Sequence, residues 1–143
     1  MENSLRKQAE VLFRKGNTLV SGGSAGTAWE RMLDDMVQLL GDDEKLVHIA
    51  GYERNTGVNF REWFPATLLT MTSKRVIFQL SPGAEPGFLP LEALTVVERR
   101  RTWLGQSDLY IRTIDGDEAR IDMPKDIADP FVQAFNATRG STG

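Results

Sequence analysis

The sequence predicts an α+β fold, an antiparallel β-barrel of six or seven strands capped by a C-terminal helix and preceded by two N-terminal amphipathic helices. Three observations carry this. Apolar residues before Gly41 recur at helical spacing, those after Asp42 alternate with period 2, and the last apolar stripe, around Phe131, is helical again.

The first helix rests on Leu5, Ala9, Leu12 and Phe13, which share one face, with Ser4 as its expected cap and Gly16 as its stop. Residues 16–26 are rich in Gly and Ser and read as a connection. The second helix opens on Thr27-Ala28-Trp29-Glu30, the pattern of a capping box. It continues through the stripe Trp29, Leu33, Met36, Val37 and Leu40 to Gly41. The acidic run Asp42-Asp43-Glu44 reads as a solvated turn into the sheet.

Strands are expected near residues 45–52, 66–72, 75–80, 94–101, 108–114 and 117–123, with residues 58–64 as a seventh or as the start of the strand at 66. Within the third of these, Val76, Phe78 and Leu80 face one way and Arg75, Ile77 and Gln79 the other. Residues 81–87, with two Pro and two Gly, read as a loop. Asp115-Gly116 marks a tight hairpin whose two turn positions are expected at positive φ. Asp129-Pro130 reads as the cap and first residue of a closing helix whose face holds Phe131, Ala134, Phe135 and Thr138. The chain thus divides into a helical extension over residues 1–41, a barrel domain over 42–138 and a fraying tail over 139–143.

Composition narrows the function. The absence of Cys removes disulfides, thiolate metal sites and a cysteine nucleophile, and suits a reducing cytoplasm. The N-terminus lacks the pattern of a signal peptide, and no apolar run reaches the ~18–20 residues that span a bilayer. A net charge of −3 with no basic region argues against nucleic acid, whose phosphates demand a positive field.

Catalytic patterns are weak. Gly22-Gly23-Ser24-Ala25-Gly26 matches Gly-x-Ser-x-Gly before a helix, but the chemistry needs a strand leading in, an oxyanion hole and a base. Only Thr18-Leu19-Val20 precedes it, and His48 is the sole histidine. The segment also lacks the Gly-Lys-Ser/Thr ending of a phosphate loop. Asp115-x-Asp117 lacks the remaining ligands of a calcium loop. No catalytic residue, metal, cofactor or small-molecule substrate is assigned; a serine hydrolase using Ser24 stays as the remote alternative.

Binding surfaces are better represented. Arg99-Arg100-Arg101-Thr102-Trp103-Leu104 combines adjacent arginines with two apolar side chains at a hairpin tip, a composition suited to an acidic protein partner or an anionic membrane surface. A second candidate is the first hairpin, with Arg54, Arg61 and Trp63. A third is the apolar face of the N-terminal helices, which can bury against the barrel or a second copy.

The run Leu68-Leu69-Thr70-Met71-Thr72-Ser73-Lys74-Arg75-Val76-Ile77-Phe78, the opening Gly41 to Leu46, the segment Phe88 to Leu94 and the late Asp115-Gly116 together resemble bacterial pleckstrin-homology and GRAM-type domains over about residues 41–138. The resemblance implies a pleckstrin-homology-like barrel, without catalytic residues, that recruits proteins or membranes. The chain departs from eukaryotic phosphoinositide-binding members in pairing Arg54 and Arg61 with Glu53 and Glu62, and in closing with Phe rather than Trp. The expectation is a non-catalytic protein-interaction or adaptor module in the cytoplasm, acting through a protein partner or self-association. The alternative is a peripheral module on anionic lipid.

Overall fold

The computed structural model describes residues 2–16, 24–53, 66–79, 83, 85–101 and 107–142. Helix α1 (Glu2–Gly16) and helix α2 (Ser24–Leu39) precede β1 (Leu46–Glu53), β2 (Ala66–Thr72), β3 (Arg75–Gln79) and β4 (Gly87–Pro90). A single 3-10 turn, Leu91–Ala93, leads into β5 (Leu94–Arg101), β6 (Ser107–Thr113) and β7 (Glu118–Asp122), and α3 (Lys125–Thr142) ends the chain. Among the described residues the fold is α+β, with seven antiparallel strands before a C-terminal helix.

The strands form two sheets, β1-β2-β3-β4 and β5-β6-β7, every pair antiparallel. The expected closure of the barrel is therefore corrected: among the described residues no backbone ladder joins the two sheets. Pro90 and the 3-10 turn after it interrupt the extended chain between β4 and β5. Side chains join the sheets instead. Ala50, Leu69, Met71 and Val76 from the first sheet meet Val97, Leu109, Ile111 and Ile121 from the second, and α3 adds Ile127, Phe131 and Phe135. Helix α3 packs on β1, β5 and β6 and so spans both sheets.

The other face of the first sheet is buried as well. Ile49, Leu68 and Ile77 lie under Ala9 and Phe13 of α1 and Trp29, Met32, Leu33 and Met36 of α2. The two amphipathic faces predicted from sequence thus meet the protein's own sheet. This is why β2 is buried from Thr67 to Thr72 without interruption, although its odd and even positions face different cores. The alternation expected in β3 holds over its described length: Val76 and Phe78 face α3 and the second sheet, while Arg75, Ile77 and Gln79 face the helices.

Several boundaries differ from expectation. Strand β4 lies where a loop ends and was not anticipated as a strand. It is a sheet edge, where Pro90 needs no partner for a missing N–H. The suggested strand at 58–64 lies outside the described residues. Helix α1 begins at Glu2 and α2 at Ser24, so Ser4 and Thr27 sit inside first turns rather than at caps, and α2 ends at Leu39, short of Gly41. Helix α3 begins at Lys125, with Pro124 O accepting from the amides of Ile127 and Ala128 at 3.0 and 2.9 Å. It continues to Thr142, through the segment expected to fray. Pro130 therefore lies within the helix, where it forgoes one backbone bond, and Asp129 is freed for another partner.

The hairpin at Asp115-Gly116 also differs. Only Gly116 has positive φ, at 92°, while its amide bonds Thr113 O at 3.0 Å and Thr113 N bonds Asp117 O at 2.9 Å. This is the longer connection in which one left-handed glycine follows the bend, rather than a two-residue turn.

Glu44 is a further correction. Asp42 and Asp43 are solvated as expected, but the Glu44 side chain is 3% exposed. It accepts from Arg75 Nε at 2.8 Å, Arg75 Nη2 at 3.0 Å, Thr72 Oγ1 and the Gly41 amide at 3.1 Å. Arg75 also donates to Leu39 O at 2.7 Å, so one ion pair ties the end of α2 to the β2–β3 hairpin.

Candidate functional site

The arginine run ends β5, and strand alternation splits it. Val97 points into the core. Arg99, two residues on, leans to the same side and reaches α3, its Nε 2.7 Å from Asp129 Oδ1. Glu98 and Arg100 stand on the solvent face of the second sheet. Antiparallel pairing sets Glu98 opposite Tyr110, Arg100 opposite Asp108, and Tyr110 opposite Arg120 of β7. This register builds a layered arrangement.

The Arg100 guanidinium lies 3.5 Å from the centre of the Tyr110 ring, and that of Arg120 lies 5.6 Å from it. Such stacking draws the cation to the electron-rich face of the ring. Arg100 Nε also donates to Glu98 Oε1 at 2.6 Å. The Glu98 carboxylate raises the Arg100 pKa further above its ordinary value. Burial beneath the arginines, then Glu118, holds the Tyr110 phenol above its ordinary value. Tyr110 is only 2% exposed although it stands on the outer face, because its neighbours cover it. The Arg100 side chain remains 44% exposed over this base, and Arg101, paired with Ser107 in the register, is exposed at the strand end.

Arg99, Arg100 and Arg101 are thus placed in three different settings. Trp103 and Leu104 lie outside the described residues, as do Arg54, Arg61 and Trp63 of the first-hairpin candidate. Tyr110, Arg120 and Asp129 were not anticipated as parts of this surface. The tight Asp115-Gly116 turn expected from sequence would set Tyr110 opposite Ile121; the longer connection shifts the register by one residue and sets it opposite Arg120. Nothing in the sequence alone joins Arg99 to Asp129, which lies 30 residues away.

Ser24 occupies the first position of α2, and its side chain lies outside the described residues. His48 meets the Phe131 ring edge-on, with centroids 6.0 Å apart, on the face of the first sheet opposite the one that α2 covers. Burial holds the His48 pKa below its ordinary value of 6.5, and among the described residues its Nε2 has no hydrogen-bond partner.

A depressed histidine pKa means that the unfolded chain binds the proton more readily than the folded one. The neutral side chain's contribution is therefore complete above pH 6.5 and is lost as pH falls toward the folded value. Denaturant titrations at pH 7.5 and 5.5 are expected to show a loss of stability at the lower pH that is largely absent in His48→Leu. Equal losses in both proteins would contradict this placement.

No helix among the described residues is long and apolar enough to cross a membrane. No family model matches the chain, and no curated protein matches it. Among solved structures, the chain is similar to the N-terminally truncated linker-DH/PH domains of p115-RhoGEF, with 12% identity and a TM-score of 0.49. The match covers 98% of this chain and 41% of that one.

Proposed function

We propose that this chain is a non-catalytic protein-interaction module on a pleckstrin-homology-like scaffold, whose binding surface is the exposed end of β5. On this reading residues 42–138 supply the scaffold and residues 1–41 a supporting helical extension, and the protein works in the cytoplasm. The observation that carries the reading is the Arg100 guanidinium, braced over Tyr110 by Glu98 yet open to solvent beside Arg101. A cation already fixed in direction loses less freedom on meeting a carboxylate than a free side chain does. The adjoining Trp103 and Leu104 add the apolar component common at interface centres. Arg99 contributes to the scaffold through Asp129.

The test is affinity capture from host lysate with wild type and with Arg101→Glu. A partner retained by wild type and lost by the variant, with salt-sensitive binding, supports the reading. Identical capture by both would overturn the surface. The same basic-aromatic tip suits anionic lipid as a second reading. Flotation with phosphatidylserine vesicles that disappears in Arg100→Glu would favour lipid over a protein partner. A serine hydrolase using Ser24 is the reading the fold supports least, and labelling by a fluorophosphonate probe would restore it.

A further inference from the structure

Helix α1 carries two faces, and only one is used by the fold. Ala9 and Phe13 are buried against the sheet and α2. On the other side Ser4, Lys7, Gln8, Val11, Arg14 and Lys15 are all exposed, at spacings that make one continuous stripe. Val11 is 54% exposed, one of three large apolar side chains so placed among the described residues. It does not stand alone, because it borders an open groove of about 450 Å³ with Leu12 and Leu46 as its other apolar walls and Lys7 at its rim.

The charge on this stripe is of one sign. Lys7, Arg14 and Lys15 form no ion pair among the described residues, whereas Arg6, on the neighbouring face, is held by Glu10 and Asp34. Arg14 and Lys15 lie in the last turn, where the helix dipole favours cations. Lys7 is mid-helix and has no such reason. In a chain of net charge −3, an unneutralised basic stripe beside an apolar groove stands out.

We infer that this groove docks an acidic, amphipathic protein segment, its apolar side chains on Val11, Leu12 and Leu46 and its carboxylates toward Lys7, Arg14 and Lys15. Charge complementarity selects this occupant. A second copy offering its own α1 would bring like charges together, and one offering α2 would present Glu30, Arg31, Asp34, Asp35 and Gln38, a face with charge but, among the described side chains, no exposed apolar residue to enter the groove. A protein segment supplies both components in one helix. The groove is formed by α1 and the start of β1, apart from the arginine end of β5, so either surface can fail without the other.

The experiment uses a labelled synthetic helix with leucines at i, i+4 and i+7 flanked by glutamates, and a control helix with lysines in place of the glutamates. The acidic helix should bind the whole protein, with NMR shift changes confined to α1 and the first residues of β1. The control should bind at least about tenfold more weakly, and Lys7→Glu with Lys15→Glu should weaken the acidic helix by about tenfold or more. Both substituted positions are exposed, and circular dichroism checks that the variant folds. Val11→Asp should weaken it as well. No shift at millimolar peptide, shifts centred on Arg101, or equal binding of both helices would overturn the proposal. So would flotation of wild type with phosphatidylserine vesicles that Lys7→Glu with Lys15→Glu abolishes, or a concentration-dependent dimer lost in that variant.

Discussion

Gly51→Val is expected to destabilise the protein by about 3 kcal/mol, at the upper end of what overpacking a filled core costs. Gly51 lies in β1 under both N-terminal helices. A Cβ there would stand 2.9 Å from Phe13 Cε1, 3.0 Å from Trp29 Cζ3 and 3.1 Å from Leu68 Cδ1. The rings cannot retreat freely, since Phe13 and Trp29 pack on each other with centroids 5.0 Å apart. A glycine inside a strand ordinarily weakens it, so its presence here reflects the close approach of the two aromatic rings. Urea unfolding followed by tryptophan fluorescence measures the effect. Pairing Gly51→Val with Phe13→Ala should recover part of the loss, because the second change opens space where the first needs it. A double variant as unstable as the sum of the two single ones would contradict the contact.

Glu44→Ala is the second large effect, expected at about 2–4 kcal/mol. Removing one partner of a buried pair costs up to ~5 kcal/mol, and the figure is reduced here because the Arg75 side chain is 26% exposed and keeps Leu39 O as an acceptor. Glu44→Leu combined with Arg75→Met should be less destabilising than Glu44→Ala alone, since it leaves no charge without a partner. The same carboxylate governs behaviour in acid. Burial raises its pKa, but the hydrogen bonds from Arg75, Thr72 and Gly41 and the charge of Arg75 outweigh that, so the net shift is downward from the ordinary 4.5. A depressed carboxylate pKa gives a contribution present in full above pH 4.5 and lost as pH falls through the folded value. Wild type should therefore lose stability below pH 4.5 more steeply than Glu44→Gln. Parallel pH profiles would contradict the ion pair's role.

What could be read from the sequence was what depends on near neighbours. Strand positions came through because period-2 alternation is local, and β2 and β5 lie at the predicted residues. The helix faces came through for the same reason, with Trp29, Leu33, Met36 and Val37 all buried. Helix starts did not. Ser4, Thr27 and Asp129 are good caps by type, yet each helix starts upstream of its expected cap, and in α3 the added turn buries Ile127 and Ala128. Strand β4 was hidden by Gly87 and Pro90, residues that argue against a strand except at an edge.

Long-range polar pairing was hidden more deeply. Glu44 sits in an acidic run that looks solvated, and its burial depends on Arg75 arriving from 31 residues away. The arginine run shows both limits. Alternation says that Arg99 and Arg100 face opposite ways and puts Glu98 on the face of Arg100, but only the assembled sheets and α3 reveal that Arg99 is taken by Asp129 and that Arg100 lies over Tyr110. The α1 groove was invisible for a related reason: helical spacing marks the stripe, but its second wall, Leu46, comes from β1.

The account depends on the helical pair being part of the first sheet's core, which fixes one face of α1 inward and turns its basic stripe outward. Nuclear Overhauser effects from the Gly51 α-protons test this most directly. The account predicts strong cross-peaks to the ring protons of Phe13 and Trp29 and to a Leu68 methyl group. Their absence, together with narrow, independently tumbling signals for residues 2–39, would show that the helices do not rest on the sheet.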